Sequence, residues 1–189
     1  MRRLIGLVMV ISFLLASVPG TSDCYAAASK TEVEWDYLIP NNRDKRDVDT
    51  VSLHILEKIS ETKTRSVYRG ITITRPHGSV ILEGETQSRE SSAVGVGPTY
   101  MIRNEKYRSG KLSAAVDMSG GIMLYDNVFP AGGRHYDFMW RIGPQFIYKF
   151  NENSSINVGY MFMHVSNGFS THNPGYDAHG FSFGFVTNF

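Results

Sequence analysis

Within 14 positions near its C-terminal end the chain carries an imidazole, a hydroxyl and a carboxylate. They are His164 and Ser166 in the run Tyr160-Met-Phe-Met-His-Val-Ser-Asn-Gly168, and Asp177 after Asn173-Pro-Gly-Tyr. These are the groups of nucleophilic acyl transfer: a hydroxyl to attack, a base to take its proton, and an acid to orient the base. Residues two apart on a strand point the same way, about 6.6 Å apart along the backbone, so an imidazole nitrogen at 164 can reach a serine oxygen at 166. Directly opposed residues on antiparallel strands bring their Cβ atoms to about 4.5–5.5 Å. Asp177, opposite or diagonal to His164, can then accept the second N–H of the ring. Asn167 and Gly168 follow with an amide side chain and unhindered backbone N–H groups for an oxyanion. Asn173-Pro-Gly is a tight-turn signal that returns the chain to the next strand.

The elements that must position these groups are legible as alternation. Val94, Val96, Pro98, Tyr100 and Ile102 share one side of a segment, with Gly95, Gly97, Thr99 and Arg103 on the other. Leu112, Ala114, Val116, Met118, Ile122 and Leu124 oppose Ser113, Asp117, Ser119 and Gly121. Tyr136, Phe138, Trp140, Ile142, Phe146, Tyr148 and Phe150 oppose Asp137, Arg141, Gly143, Gln145 and Lys149. Strict period-two alternation marks strands with two unlike faces. Weaker segments of the same kind run over 31–39, 51–59 and 66–75, the last marred by Arg69 on its apolar side. Residues 76–92 form a long polar excursion that reads as a hairpin rising beyond the strand ends, and two more segments cover 156–166 and 177–185.

The bulky, aromatic face and the small, charged face are the reverse of a soluble sandwich, whose large apolar residues meet in a common core. In a transmembrane barrel the large residues face lipid and the small or polar ones fill the lumen. Segments of this length cross a bilayer at a tilt, and closing the sheet satisfies every backbone group where no water can. The expectation is therefore all-β: an eight-stranded antiparallel transmembrane β-barrel of the outer-membrane type, its narrow lumen packed by side chains. Asp117 and Arg141 are candidate partners inside it. Short inner turns are expected around 61–63, 104–106 and 151–153, which puts residues 167–176 outside the cell. On this register His164, Ser166 and Asp177 all project from the lipid-facing side at the outer rim.

The N-terminus follows a different rule. Arg2-Arg3, the apolar run Leu4–Val18 and Ala26-Ala27-Ala28 have the form of a secretory signal, cleaved near residue 28, with the barrel spanning 29–189. Cys24, the single cysteine, would leave with it, so the mature chain has no thiol for a disulfide or a metal. Removing Arg2, Arg3 and Asp23 from 19 basic and 18 acidic side chains leaves a neutral protein, which argues against nucleic acid as a partner. Phe181, Phe183, Phe185 and a terminal Phe189 resemble the sorting signal of outer-membrane barrels.

His164-Val-Ser166-Asn167-Gly168, Asn173-Pro-Gly and the acid at 177 resemble the active-site signature of the outer-membrane lipid A 3-O-deacylases, the acyloxyacyl hydrolase-like proteins. The similarity extends upstream through Gly95-Val-Gly-Pro and Gly132-Gly-Arg-His-Tyr-Asp-Phe, over roughly 94–189. It implies a serine esterase that removes a fatty acyl chain from lipopolysaccharide in the outer leaflet without a metal or other cofactor. Ser166 would be the nucleophile, His164 the base and Asp177 the orienting acid. Asn167 and Gly168 would lie at the oxyanion hole, with Asn173 supporting the loop. Familiar members carry Glu at the acid position, so Asp177 departs from the pattern by one methylene. The partners implied are lipid A and the surrounding outer-membrane lipid, and a homodimer is compatible with the chain.

Two other readings use the same residues. A non-catalytic small barrel would serve membrane integrity or adhesion through its outer loops. A metal-dependent outer-membrane phospholipase would gather a calcium or zinc ion on His172, Asp177 and His179, although a hard cation favours more carboxylates than these. His54, His77 and His135 read as ordinary lumen or loop residues.

Overall fold

The computed structural model describes residues 30–168 and 173–188. The expected signal segment with Cys24, the loop residue His172 and the terminal Phe189 lie outside the described residues. Eight long strands and one short one follow in order: β1 (Lys30–Pro40), β2 (Arg46–Glu61), β3 (Arg65–Ile81), β4 (Ser88–Glu90), β5 (Gly95–Ser109), β6 (Leu112–Phe129), β7 (Arg134–Lys149), β8 (Ser155–Ser166) and β9 (Tyr176–Asn188). Each long strand pairs antiparallel with its neighbours. β1 pairs with both β2 and β9, and β2 with β3, so the eight long strands close into a barrel with no free edge.

The alternation maps onto the wall as the side-chain chemistry requires. Trp35, Ile55, Ile71, Val96, Leu124, Trp140, Phe146, Phe162, Phe181 and Phe183 stand on the outside. Glu34, His54, Thr99, Arg103, Asp117, Arg141, Asn157 and Ser182 are buried in the lumen. An apolar exterior and a polar, packed interior suit a wall whose solvent is lipid. Arg69, the residue out of pattern on β3, is exposed and meets Glu57 of β2 at 3.1 Å, a cross-strand ion pair. Both termini of the described barrel and its tighter turns lie at one end. By the usual arrangement of short periplasmic turns and longer extracellular loops, the end bearing His164 faces outward.

The polar excursion at 76–92 forms the expected hairpin beyond the strand ends: β3 continues to Ile81 and β4 pairs back onto it, Val80 opposite Arg89. Two details depart from the sequence expectation. The inner turn expected around 104–106 lies at Gly110-Lys111, because β5 absorbs an irregularity between Glu105 and Tyr107 and keeps pairing with β6 to Ser109. Asp117 and Arg141 share the lumen but take other partners. Arg103 donates to both Asp117 oxygens and forks onto Glu32 at 2.8 and 2.9 Å. Arg141 reaches Glu34 at 2.9 Å, Asp36, and Ser119 Oγ at 3.0 Å. Cross-barrel partners depend on how far the strands are staggered, and three carboxylates on β1 had no counterpart in the alternation of its neighbours.

The lumen is layered along its axis. Behind the outer rim Leu38, Met123, Met139, Met161, Met163, Val165, Tyr176 and Ala178 form a buried apolar cluster. The arginine networks lie deeper, followed by Leu56, Tyr68 and Met101. The outer cluster packs the inward sides of β8 and β9, and close packing of this kind resists small displacements. It stiffens the stretch of wall whose opposite side carries His164 and Asp177.

Candidate active site

His164 and Asp177 are direct register partners on β8 and β9. Their inward-pointing neighbours, Met163, Val165, Tyr176 and Ala178, are 2%, 1%, 2% and 1% exposed and belong to that outer apolar cluster. The outward side chains therefore cannot turn inward without emptying the cluster. His164 Nδ1 lies 2.7 Å from Asp177 Oδ1, a hydrogen bond that fixes the ring and leaves Nε2 as its second working atom. On the other flank, Trp140 of β7 is the register partner of His164, and its indole packs at 5.6 Å between ring centroids with a 31° tilt. The imidazole is thus held between a carboxylate and an indole. Trp140 is legible in the sequence as an outward residue, but its contact with His164 needs the β7–β8 register.

Asp177 is anchored from behind as well. Its carbonyl accepts the Asn41 N–H at 3.0 Å, tying the start of β9 to the loop after β1. Gly175 lets this segment approach β8, since a Cβ there would come within 2.4 Å of the Val165 carbonyl oxygen.

Ser166, opposite Phe138 at the end of β8, is half-buried on the same outward side as His164. Among the described residues Ser166 Oγ makes no hydrogen bond to His164; the two are separated by one strand repeat on a shared face. Nucleophile–base contacts are commonly looser before substrate binds.

The two residues after Ser166 differ in what they offer. The Asn167 N–H donates to Asn173 Oδ1 at 3.0 Å and its side chain is only 2% exposed, so in this arrangement that N–H is engaged and the amide lies inside the wall. Gly168 has φ +77°, in the left-handed region that favours glycine, and its carbonyl accepts Asn173 Nδ2 at 3.2 Å. Asn173 thus clasps both residues that follow Ser166, and its neighbour Pro174 offers a carbonyl to the Arg46 guanidinium. Asn173 therefore engages the N–H at 167 but only the carbonyl at 168.

The residues of the metal reading do not converge among the described ones. Asp177 is taken by His164, His179 Nδ1 bonds the Tyr160 hydroxyl, and His172 lies outside the described residues. The grouping with metal-ligand spacing is elsewhere: Glu34, Asp36 and His54 offer ligand atoms within 4.8 Å of one another in the lumen. Arg141 already places its guanidinium on both of those carboxylates, so the positive charge there is a side chain.

The closed eight-stranded wall, with its apolar exterior and packed polar lumen, defines an outer-membrane β-barrel, here with an imidazole–carboxylate pair and a serine on its outer surface. The sequence narrows this further. The family profile described as lipid A 3-O-deacylase (PagL) matches residues 59–186, and the chain belongs to that family. No curated protein sequence matches significantly.

Solved structures agree on the fold. The crystal structure of the outer-membrane enzyme PagL superposes with a TM-score of 0.51 at 14% identity, covering 85% of this chain and 99% of that one. Neisserial surface protein A superposes with 0.52 at 9% identity, covering 86% and 98%. Similarity at these identities speaks for the barrel alone. That an enzyme and a surface protein share it shows why activity must be argued from the site.

Proposed function

We propose that this protein is a serine esterase of the outer membrane that hydrolyses an acyl ester of lipid A, removing the 3-O-linked chain. The observation that carries the reading is the 2.7 Å His164–Asp177 contact on the lipid-facing wall, with Ser166 beside it on the same face. Polar groups on that wall are unfavourable unless they serve something, and Asp is tolerated there chiefly near the rim. Ser166 Oγ attacks the ester carbonyl as His164 Nε2 takes its proton, and Asp177 holds the ring and balances the charge it gains. The tetrahedral oxyanion is met by backbone N–H donors at Gly168, and collapse expels the sugar hydroxyl, which receives its proton from His164. Water, activated by the same imidazole, then releases the fatty acid from Ser166.

Family membership supports the substrate class, and location supports the reaction: a lipid ester in the outer leaflet reaches this rim by lateral diffusion. Mass spectrometry of lipid A from cells with and without the protein tests the reading. The expected difference is the mass of one acyl chain. Identical spectra at confirmed expression in folded form would favour the non-catalytic barrel.

A further inference from the structure

The end of the barrel away from His164 holds a cavity of about 450 Å³ that the reaction does not use. It is bounded by the Gly110-Lys111 turn, the loop 150–154 and the ends of β1, β2 and β7, so it opens at the short-turn, periplasmic end. That volume is in the range of small-molecule sites. Its inner wall is apolar and aromatic: Tyr68, which clusters with Leu56 and Met101, is joined by Ile147 and Val186.

Alternation delivers the cations around it. Lys30 continues the lumen-facing series of Glu32, Glu34 and Asp36, and Lys149 that of Gln145 and Ile147. Lys58 follows His54 and Leu56 and is the register partner of the buried Tyr68. These lysines therefore point into the barrel mouth and not toward the lipid around it.

Pairing accounts for part of their charge. Lys58, its side chain 15% exposed, meets Glu61 at 3.1 Å and lies 5.7 Å from the Tyr68 ring centroid. Arg108 forks onto Glu105, and Arg103 onto Glu32 and Asp117. Lys30 and Lys111 each donate to a carbonyl of the loop, at Glu152 and Phe150, and an ammonium group has two further N–H donors beyond such a bond. Among the described residues Lys149 Nζ makes no hydrogen bond and no ion pair. Three lysines from separate parts of the chain thus line one cavity whose carboxylates, apart from the exposed Glu152, already have cations. Like charges gathered beside an apolar wall are unfavourable without a counter-charge.

We infer that the periplasmic mouth binds a soluble, phosphate-bearing small molecule, its phosphate held by Lys30, Lys111 and Lys149 and its body lying against Tyr68. A phosphate group carries more charge and more acceptor oxygens than a carboxylate, and lysine meets it as a point charge with freely turning donors. The site is independent of the esterase reading, since it lies at the other end of the barrel from Ser166.

Equilibrium dialysis of the folded barrel in an uncharged detergent, with radiolabelled inorganic phosphate and acetate at fixed ionic strength, tests it. Phosphate should be retained, and acetate at least about tenfold more weakly. Lys149→Met should weaken phosphate binding about tenfold. Lys106→Met removes an exposed cation outside the cavity and should leave binding unchanged. No retention of phosphate, equal retention of acetate, or equal losses in the two variants overturns the inference. Heat-modifiability reports folding, and if Lys149→Met does not fold, Lys30→Met carries the same expectation.

A lipid headgroup is the rival source of phosphate. The difference between the unmutated barrel and Lys149→Met should persist in nanodiscs containing phosphatidylglycerol. Its disappearance there would assign the lysines to a lipid and overturn the soluble ligand.

Discussion

Among the described residues the barrel carries two imidazole–carboxylate contacts, one on each side of its wall, and they differ in what the second ring nitrogen meets. In the lumen, His54 Nε2 lies 3.1 Å from Asp36 and Nδ1 2.6 Å from Thr72 Oγ1, with both members of the ion pair fully buried. Arg141 also binds that aspartate, and Thr72 passes the chain on to Thr99. Every outlet of the ring is used, so this pair can only hold strands together. On the outside, His164 gives Nδ1 to Asp177 while 34% of its side chain stays exposed and, among the described residues, Nε2 carries no hydrogen bond. The same two residue types therefore serve as a brace where the network closes and as a candidate proton relay where it is left open.

This contrast can be broken from either side. The largest effect belongs to His164→Ala, which should lower lipid A deacylation by about 10³-fold or more while the barrel still folds, as read from lipid A mass profiles and heat-modifiability. Asp177→Asn should follow with a loss of about 10²–10⁴-fold, since the amide cannot balance the imidazolium. Asp177→Glu should restore much of the rate if the extra methylene can be taken up at an exposed strand end.

On the lumen side the sign of the experiment reverses. Arg141→Met leaves Glu34 and Asp36 buried without their cation and should cost about 3–5 kcal/mol in denaturant unfolding, with deacylation by the folded fraction retained. His54→Gln, the smallest change, should cost about 1–3 kcal/mol through Asp36 and Thr72 and leave turnover unaltered. A His54 variant that abolished activity in a stable barrel would erase the distinction between the two pairs.

How far this division could be read from residues alone depends on which rule set each feature. Facing is a period-two property, so the outward placement of His164, Ser166 and Asp177 and the burial of Asp117 and Arg141 follow from alternation along single strands. Pairing across strands is not: Asp177 could have stood opposite or diagonal to His164, and the register that makes them direct partners also brings Trp140 onto the other side of the ring. Contacts across the lumen are more remote still, which is why Asp117 is hydrogen-bonded by Arg103, shared with Glu32 of β1, and not by Arg141. The turn at Gly110-Lys111 was hidden because an irregular pairing near Glu105 interrupts the pattern without ending the strand. At Asn167 alternation also tells what the loop chemistry alone does not: the side chain continues the inward series of Met163 and Val165, away from the face that Ser166 occupies.

The central claim is that Ser166 Oγ is the atom that takes the acyl group. Lipid A mass spectra from matched cells expressing the unmutated barrel and Ser166→Ala, both confirmed as folded by heat-modifiability, test it most directly. The account predicts loss of one acyl chain with the first and unmodified lipid A with the second. Continued release of the chain by folded Ser166→Ala would contradict it.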